Sequence, residues 1–149
     1  FIIYLSLLFS FLTWGYFVPK FSKNVSDAIR LLKFGAPINL VVLAFIIYLG
    51  PKAGAFHWAL FAVSSVFLSL SQPAVGMAFS LSNAGKALTS FNLLLFIGAF
   101  ALQWIIGVII DLTMNLGFSE ISGFRFAMVF FLLTSLFSYL FFLTKNYKN

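Results

Sequence analysis

Five apolar stretches of membrane-spanning length, separated by short polar breaks, set the pattern of this chain. A helix needs about 20 mainly apolar residues to cross the hydrocarbon core. The stretches predict spans at roughly 1–18, 31–50, 57–79, 91–114 and 124–143. Pro19-Lys20, the turn Pro51-Lys52-Ala53-Gly54, a loop over 80–90 with Asn83, Gly85 and Lys86, and a polar loop over 115–123 mark the breaks. Between the first two spans, Phe21, Val25, Ile29 and Leu32 recur at helical spacing among Lys20, Lys23, Asp27, Arg30 and Lys33. With Ser26 placed as a cap, this predicts a short amphipathic helix at the interface over about 20–33. The alternative is a solvated linker. Pro37, near the start of the second span, is a position for a kink, and Pro73 stands near the far end of the third.

Composition makes the solvent explicit. Hydrophobic residues are 62% of the 149 and charged residues 8%, with a mean hydropathy of +1.09. A water-soluble domain of this size lacks the interior to hide so much apolar surface. The expected fold is therefore an all-α polytopic transmembrane helix bundle of five spans, one domain over 1–149, with the lipid bilayer as its partner. The chain opens on Phe1 inside an apolar run, without a basic n-region or a cleavage site, so the start is not a signal peptide. A fragment of a longer protein is the expectation. There is no cysteine, which excludes disulfides and cysteine-ligated metals.

The net charge of +6 is not a nucleic-acid signature, because its carriers sit in the loops between spans. If the C-terminal tail is cytoplasmic, one side holds Lys20, Lys23, Arg30, Lys33, Lys86, Lys145 and Lys148, and the other holds Lys52 and Arg125. The positive-inside bias then places the C-terminus in the cytoplasm and Phe1 outside. Asn24-Val25-Ser26 fits a glycosylation pattern but faces the cytoplasm in this orientation, so the match is read as accidental.

Polar and small residues inside spans point to neighbouring helices or to a wet cavity. Ser65, Ser69, Gln72 and Gly76 share one face of the third span, and Ala99, Gln103, Gly107 and Asp111 one face of the fourth, with Gly98 beside that stripe. Ser6, Ser10, Thr13 and Gly15 mark the first. Spans one, three and four read as interior, two and five as peripheral. Such stripes have two readings, dry helix packing and cavity lining. Gln103, Ser69, Ser65, Gln72 and Thr13 are the cavity candidates. Gly98, Gly107 and Gly76 are the helix-packing candidates, and Gly85 and Lys86 mark the cytoplasmic loop. Asp111 reads as an interfacial charge. Trp14 and Trp58 are candidate interface anchors, and Trp104, too deep for that, is expected to pack on a neighbour.

Catalytic chemistry is sparse. The single histidine, His57, lies at the outer edge of span three and reads as interfacial. H-E-x-x-H and G-x-S-x-G are absent, and Gly85-Lys86 lacks the other positions and the strand of a phosphate loop. Three acids leave little for paired-carboxylate catalysis. No enzyme, metal or cofactor is expected.

The stretch 72–111 carries a resemblance. Gln72-Pro73-Ala74, Asn83-Ala84-Gly85-Lys86-Ala87-Leu88-Thr89, Asn92, Phe96-Ile97-Gly98-Ala99-Phe100, Gln103-Trp104, Gly107 and Asp111 together resemble the tenth-to-eleventh-helix region of bacterial major facilitator superfamily carriers. Five spans ending in the cytoplasm would be the eighth to twelfth helices of a twelve-helix carrier. The resemblance implies that helices eight, ten and eleven line a cavity. These map onto spans one, three and four. It departs where Asp27 and Arg30 stand without the glycine of a D-R-x-G-R-like loop. It implies part of a secondary transporter moving a small solute by alternating access in a bacterial inner membrane, together with a missing N-terminal half. Substrate does not follow from fold. A non-transport structural or accessory membrane protein is the alternative.

Overall fold

A computed structural model describes residues 1–22 and 24–144. Lys23, Lys145 and Lys148, which entered the charge count, lie outside the described residues. The described chain is all helical: α1 (Ile2–Phe21), α2 (Val25–Leu49), α3 (Ala55–Ser65), α4 (Ser71–Ala78), α5 (Leu81–Asn115) and α6 (Glu120–Thr144), with 3₁₀ segments at Gly50–Lys52 and Val66–Leu70. Four segments are long and apolar enough to cross a membrane: Val25–Lys52, Ala55–Ala78, Leu81–Asn115 and Glu120–Thr144. Ile2–Val18 adds a shorter apolar helix. The architecture is that of a helical membrane bundle whose outer surface is largely apolar.

Two expected breaks are absent. The segment read as an interfacial helix continues without interruption into the second span as the first turns of α2. Its cap is Asn24, not Ser26: the Asn24 side chain accepts the Asp27 N–H at 2.9 Å, closing one of the orphan donors of the first turn. The loop over 80–90 is also helical, because α5 starts at Leu81. Ser80 is its cap in extended backbone, and the Asn83 and Ala84 N–H groups donate to the Ser80 carbonyl. Gly85 and Lys86 therefore sit in the second turn of a helix, not in a loop. Glycine there costs about 1 kcal/mol relative to alanine, too little to stop a helix 35 residues long.

Other boundaries follow local chemistry. α5 ends in a Schellman motif: Gly117 has φ +86°, its N–H donates to the Met114 carbonyl, and the Phe118 N–H reaches back to Thr113. His57 accepts the Gly54 N–H on Nδ1 at 3.2 Å, so the lone histidine caps the start of α3. The third span is interrupted at Val66–Leu70. Pro73 has no N–H and its ring crowds the carbonyl four residues back, which is Ser69, within the 3₁₀ stretch. Pro73 itself lies in the first turn of α4, where a missing donor costs least.

The hub is α2, which packs against α3, the Val66–Leu70 segment, α4 and α6. This corrects the expectation that span two is peripheral. Ala28, Leu32, Gly35, Asn39, Leu43 and Ile46 form its buried face, at the three- and four-residue steps of one helical side. Gly35 is required by shape: a Cβ there would overlap the Phe67 side chain. Phe67 in turn meets Trp14 of α1 edge-on, with ring centroids 4.8 Å apart. α1 packs on α3, and α5 packs on α4 and α6. The tight α5–α6 crossing uses the buried pair Gly123 and Ala127 of α6, with the Ile110 backbone against Gly123. Small residues one turn apart allow this close approach.

Two polar clamps tie the hub to its neighbours. Buried Asn39 donates to Ser64 Oγ at 2.9 Å and to the Phe61 carbonyl at 3.3 Å. Pro37 deprives the Lys33 carbonyl of its intrahelical donor, and the Tyr139 hydroxyl of α6 donates to that same carbonyl at 2.9 Å. In lipid no water can take the place of either partner.

Candidate functional site

The polar face of α5 is the first candidate surface. Ala99, Gln103, Gly107 and Asp111 recur every four residues along this helix and all are exposed. Gln103 stands at the centre of the apolar run 91–114. A Cβ at Gly98 or Gly107 would meet nothing within 4 Å, so neither glycine makes a helix contact among the described residues. The small-residue contact lies instead on α6, at Gly123 and Ala127. Trp104 is 65% exposed, which corrects the expectation that it packs on a neighbour. α6 packs along the flank of this half of α5, beside the polar stripe, through Ile110 and buried Thr113.

The interrupted third span is the second. Its hydroxyls are spent on its own backbone. Ser65 donates to the Phe61 and Ala62 carbonyls, Ser69 to Val66 and Ser71 to Leu68. Such back-bonding lowers the cost of serine in an apolar environment and bends helices. Ser65 and Ser69 are half-buried, and Gln72 is exposed. Gln72 donates to Asn92 Oδ1 of α5 at 3.2 Å. Gly76 faces Leu88, the contact by which α4 and α5 meet.

A third surface lies between α1 and α3. Ser10, Thr13, Trp14, Val63, Val66 and Phe67 line a cavity of about 190 Å³. Ser10 and Thr13 donate to carbonyls of their own helix, leaving lone pairs for a further donor. The Trp14 indole N–H is buried and finds no acceptor among the described residues. Such a group costs about 1–3 kcal/mol.

The candidate residues thus fall on separate surfaces. Thr13 lines the α1–α3 cavity, Ser65 and Ser69 stabilise the break in the third span, Gln72 bridges α4 and α5, and Gln103 faces outward from α5. Sequence reasoning missed Asn39, the one amide in the buried face of the hub, and Tyr139. A lone amide in an otherwise apolar span was the available signal for the first. An in-span proline that strands a carbonyl was the signal for the second. Among the described residues, no group of three or more His, Asp or Glu side chains is placed to hold a metal ion. No family model matches the chain, and neither the curated proteins nor the solved structures contain a match.

Proposed function

We propose that this chain is part of a secondary active membrane transporter that moves a small solute by alternating access, with α5 forming one wall of the solute path. The observation that carries the reading is Gln103, with Gly107 and Asp111, outward-facing at the centre and end of an apolar helix. An unpartnered amide in hydrocarbon costs roughly 2–7 kcal/mol, so this face requires water or a polar partner. Helices beyond those described would complete the cavity, in the manner of the major facilitator carriers that 72–111 resembles. An interrupted third span and an in-span proline in α2 supply places where such a wall can flex. The inner-membrane location and the cytoplasmic C-terminus belong to the same proposal. They rest on the bias of basic residues.

Gly98 and Gly107, open to a close-approaching helix, favour a second reading: an accessory subunit whose α5 docks dry against a partner. The absence of native cysteine from this chain makes the test direct. Single cysteines at positions 99, 103 and 107 of the full-length protein, in native membranes, are expected to react with a membrane-impermeant maleimide. Position 105, on the opposite face of α5, is expected to stay protected. Added substrate or a change of side should alter reactivity at 103. Protection of all three stripe positions in every condition would overturn the transporter reading in favour of dry docking.

A further inference from the structure

At the end of the bundle where α4 gives way to α5, an open groove of about 490 Å³ runs between the two helices. Its lining changes character with depth. Asn83 and Lys86 lie in the first turns of α5, Ser90 follows one turn on, and Leu94 lies deeper, all on one side of the helix. Val75 of α4 and Phe79, which caps the end of that helix, form the facing wall. From Asn83 to Leu94 the helix rises about 16 Å, and the surface passes from cationic and hydrogen-bonding to wholly apolar. That profile matches an amphiphile with an anionic head and a hydrocarbon tail.

Charge selects the sign of the head. The chain reverses at each short connection, so Lys20, Arg30, Lys33 and Lys86 share this end with a single acid, Asp27. The Tyr139–Lys33 contact, between the last turns of α6 and the first turns of α2, fixes the same grouping. At the opposite end Lys52 and Arg125 are balanced by Asp111 and Glu120. Lys86 is exposed, and its ammonium has no acceptor among the described residues. A free phosphate would use only the lysine end of the groove. The apolar remainder is covered only by a ligand that carries its own acyl chain.

We infer that the α4–α5 groove binds an anionic phospholipid, with Lys86 on the phosphate, Asn83 and Ser90 as hydrogen-bonding partners of the head, and one acyl chain along Val75, Phe79 and Leu94. The site is separate from the outward polar face of α5, which lies on the opposite side of that helix, and its occupation does not depend on what that face does.

The test uses the full-length protein in phosphatidylcholine nanodiscs doped with photoactivatable phosphatidylglycerol or photoactivatable phosphatidylcholine, with adducts mapped to peptides. Phosphatidylglycerol should label the α4–α5 peptides in preference to phosphatidylcholine. Lys86→Gln should reduce that preference about fivefold, the equivalent of about 1 kcal/mol for one basic residue at the surface. Lys86→Arg should retain it, as should Arg125→Gln at the opposite end. Ala87→Trp, which fills the groove and keeps every charge, should abolish labelling there, with unchanged gel-filtration profile and helicity reporting a folded protein. Excess inorganic phosphate should not compete. Equal labelling by the two lipids, loss of labelling to phosphate alone, or full labelling of a folded Ala87→Trp variant would each overturn the inference, the last by reducing it to diffuse attraction at a basic rim.

Discussion

α2 and α5 are both apolar membrane-crossing helices, yet they have opposite fates. The most apolar stretch of α5 has the higher mean hydropathy, 2.5 against 2.0, and none of it is buried, whereas 22% of the corresponding stretch of α2 is. In water the ranking would run the other way, because burial follows hydrophobicity. In lipid the tails are as apolar as leucine, so hydrophobicity does not choose which helix goes inside. Shape and stranded polar groups do. α2 has Gly35 to admit Phe67, Asn39 to bind α3, and a proline whose orphaned carbonyl recruits Tyr139. α5 has glycines too, at 98 and 107, but no side chain among the described residues enters the space above them.

The largest expected effect breaks the hub at its tightest contact. Gly35→Leu places a side chain where the Phe67 ring lies. It is expected to destabilise the full-length protein by about 3 kcal/mol, the upper end of overpacking costs. Detergent-induced unfolding followed by helicity would measure this. Gly98→Leu, the same exchange on α5, should leave the unfolding midpoint nearly unchanged if no other helix seats on that face. An equal loss at both positions would remove the contrast between the two helices and point to a tight docking partner over Gly98.

An intermediate effect tests whether Pro37 is what makes Tyr139 matter. Tyr139→Phe leaves the Lys33 carbonyl without a donor and should cost about 1 kcal/mol, the scale of interhelical hydrogen bonds in membranes. With Pro37→Ala, residue 37 regains its N–H and the carbonyl is satisfied within α2. Tyr139→Phe should then cost close to nothing. A double-mutant cycle isolates that difference. If the hydroxyl costs the same in both backgrounds, Tyr139 acts by packing, and the account of a proline-stranded carbonyl is wrong.

Much of this architecture was legible in the sequence, because lipid imposes length and composition rules on every helix that crosses it. The spans and the turns at Gly50–Gly54 and Leu116–Ser119 follow from apolar runs punctuated by glycine, proline and polar residues. What misled was the use of polarity as a guide to the interior. Ser65 and Ser69 in the third span satisfy themselves on their own carbonyls, so they mark a break in the helix rather than a face seeking a partner. The apolar run of span two hid Asn39 at its edge, although that one amide with Gly35 locates the hub. Local helix continuity was also underestimated: Asn24 and Ser80 cap α2 and α5 earlier than the first strongly apolar residues, and the polar turns between are carried by the helices behind them. The groove beside Lys86 depends on that continuity, since a loop at 80–90 would not align Asn83, Ser90 and Leu94 on one side.

The smallest effect on folding is expected on the bare face of α5, and there the separation of folding from function is sharpest. Gln103 is exposed and makes no packing contact that its amide secures, so Gln103→Leu should change stability by no more than about 0.5 kcal/mol, as at other surface positions. In an accessory protein docked dry through Gly98 and Gly107, the added apolar bulk would weaken or strengthen association and leave any flux to be set elsewhere. In a carrier, the same change removes a hydrogen-bonding group from the centre of the solute path. Substrate flux through the full-length protein should then fall by about tenfold, corresponding to one lost polar contact of about 1.4 kcal/mol. Unaltered flux in a stably folded Gln103→Leu variant would show that this face lines no solute path. A loss of flux accompanied by an equal loss of stability would return Gln103 to the ranks of packing residues and erase the difference between α5 and α2.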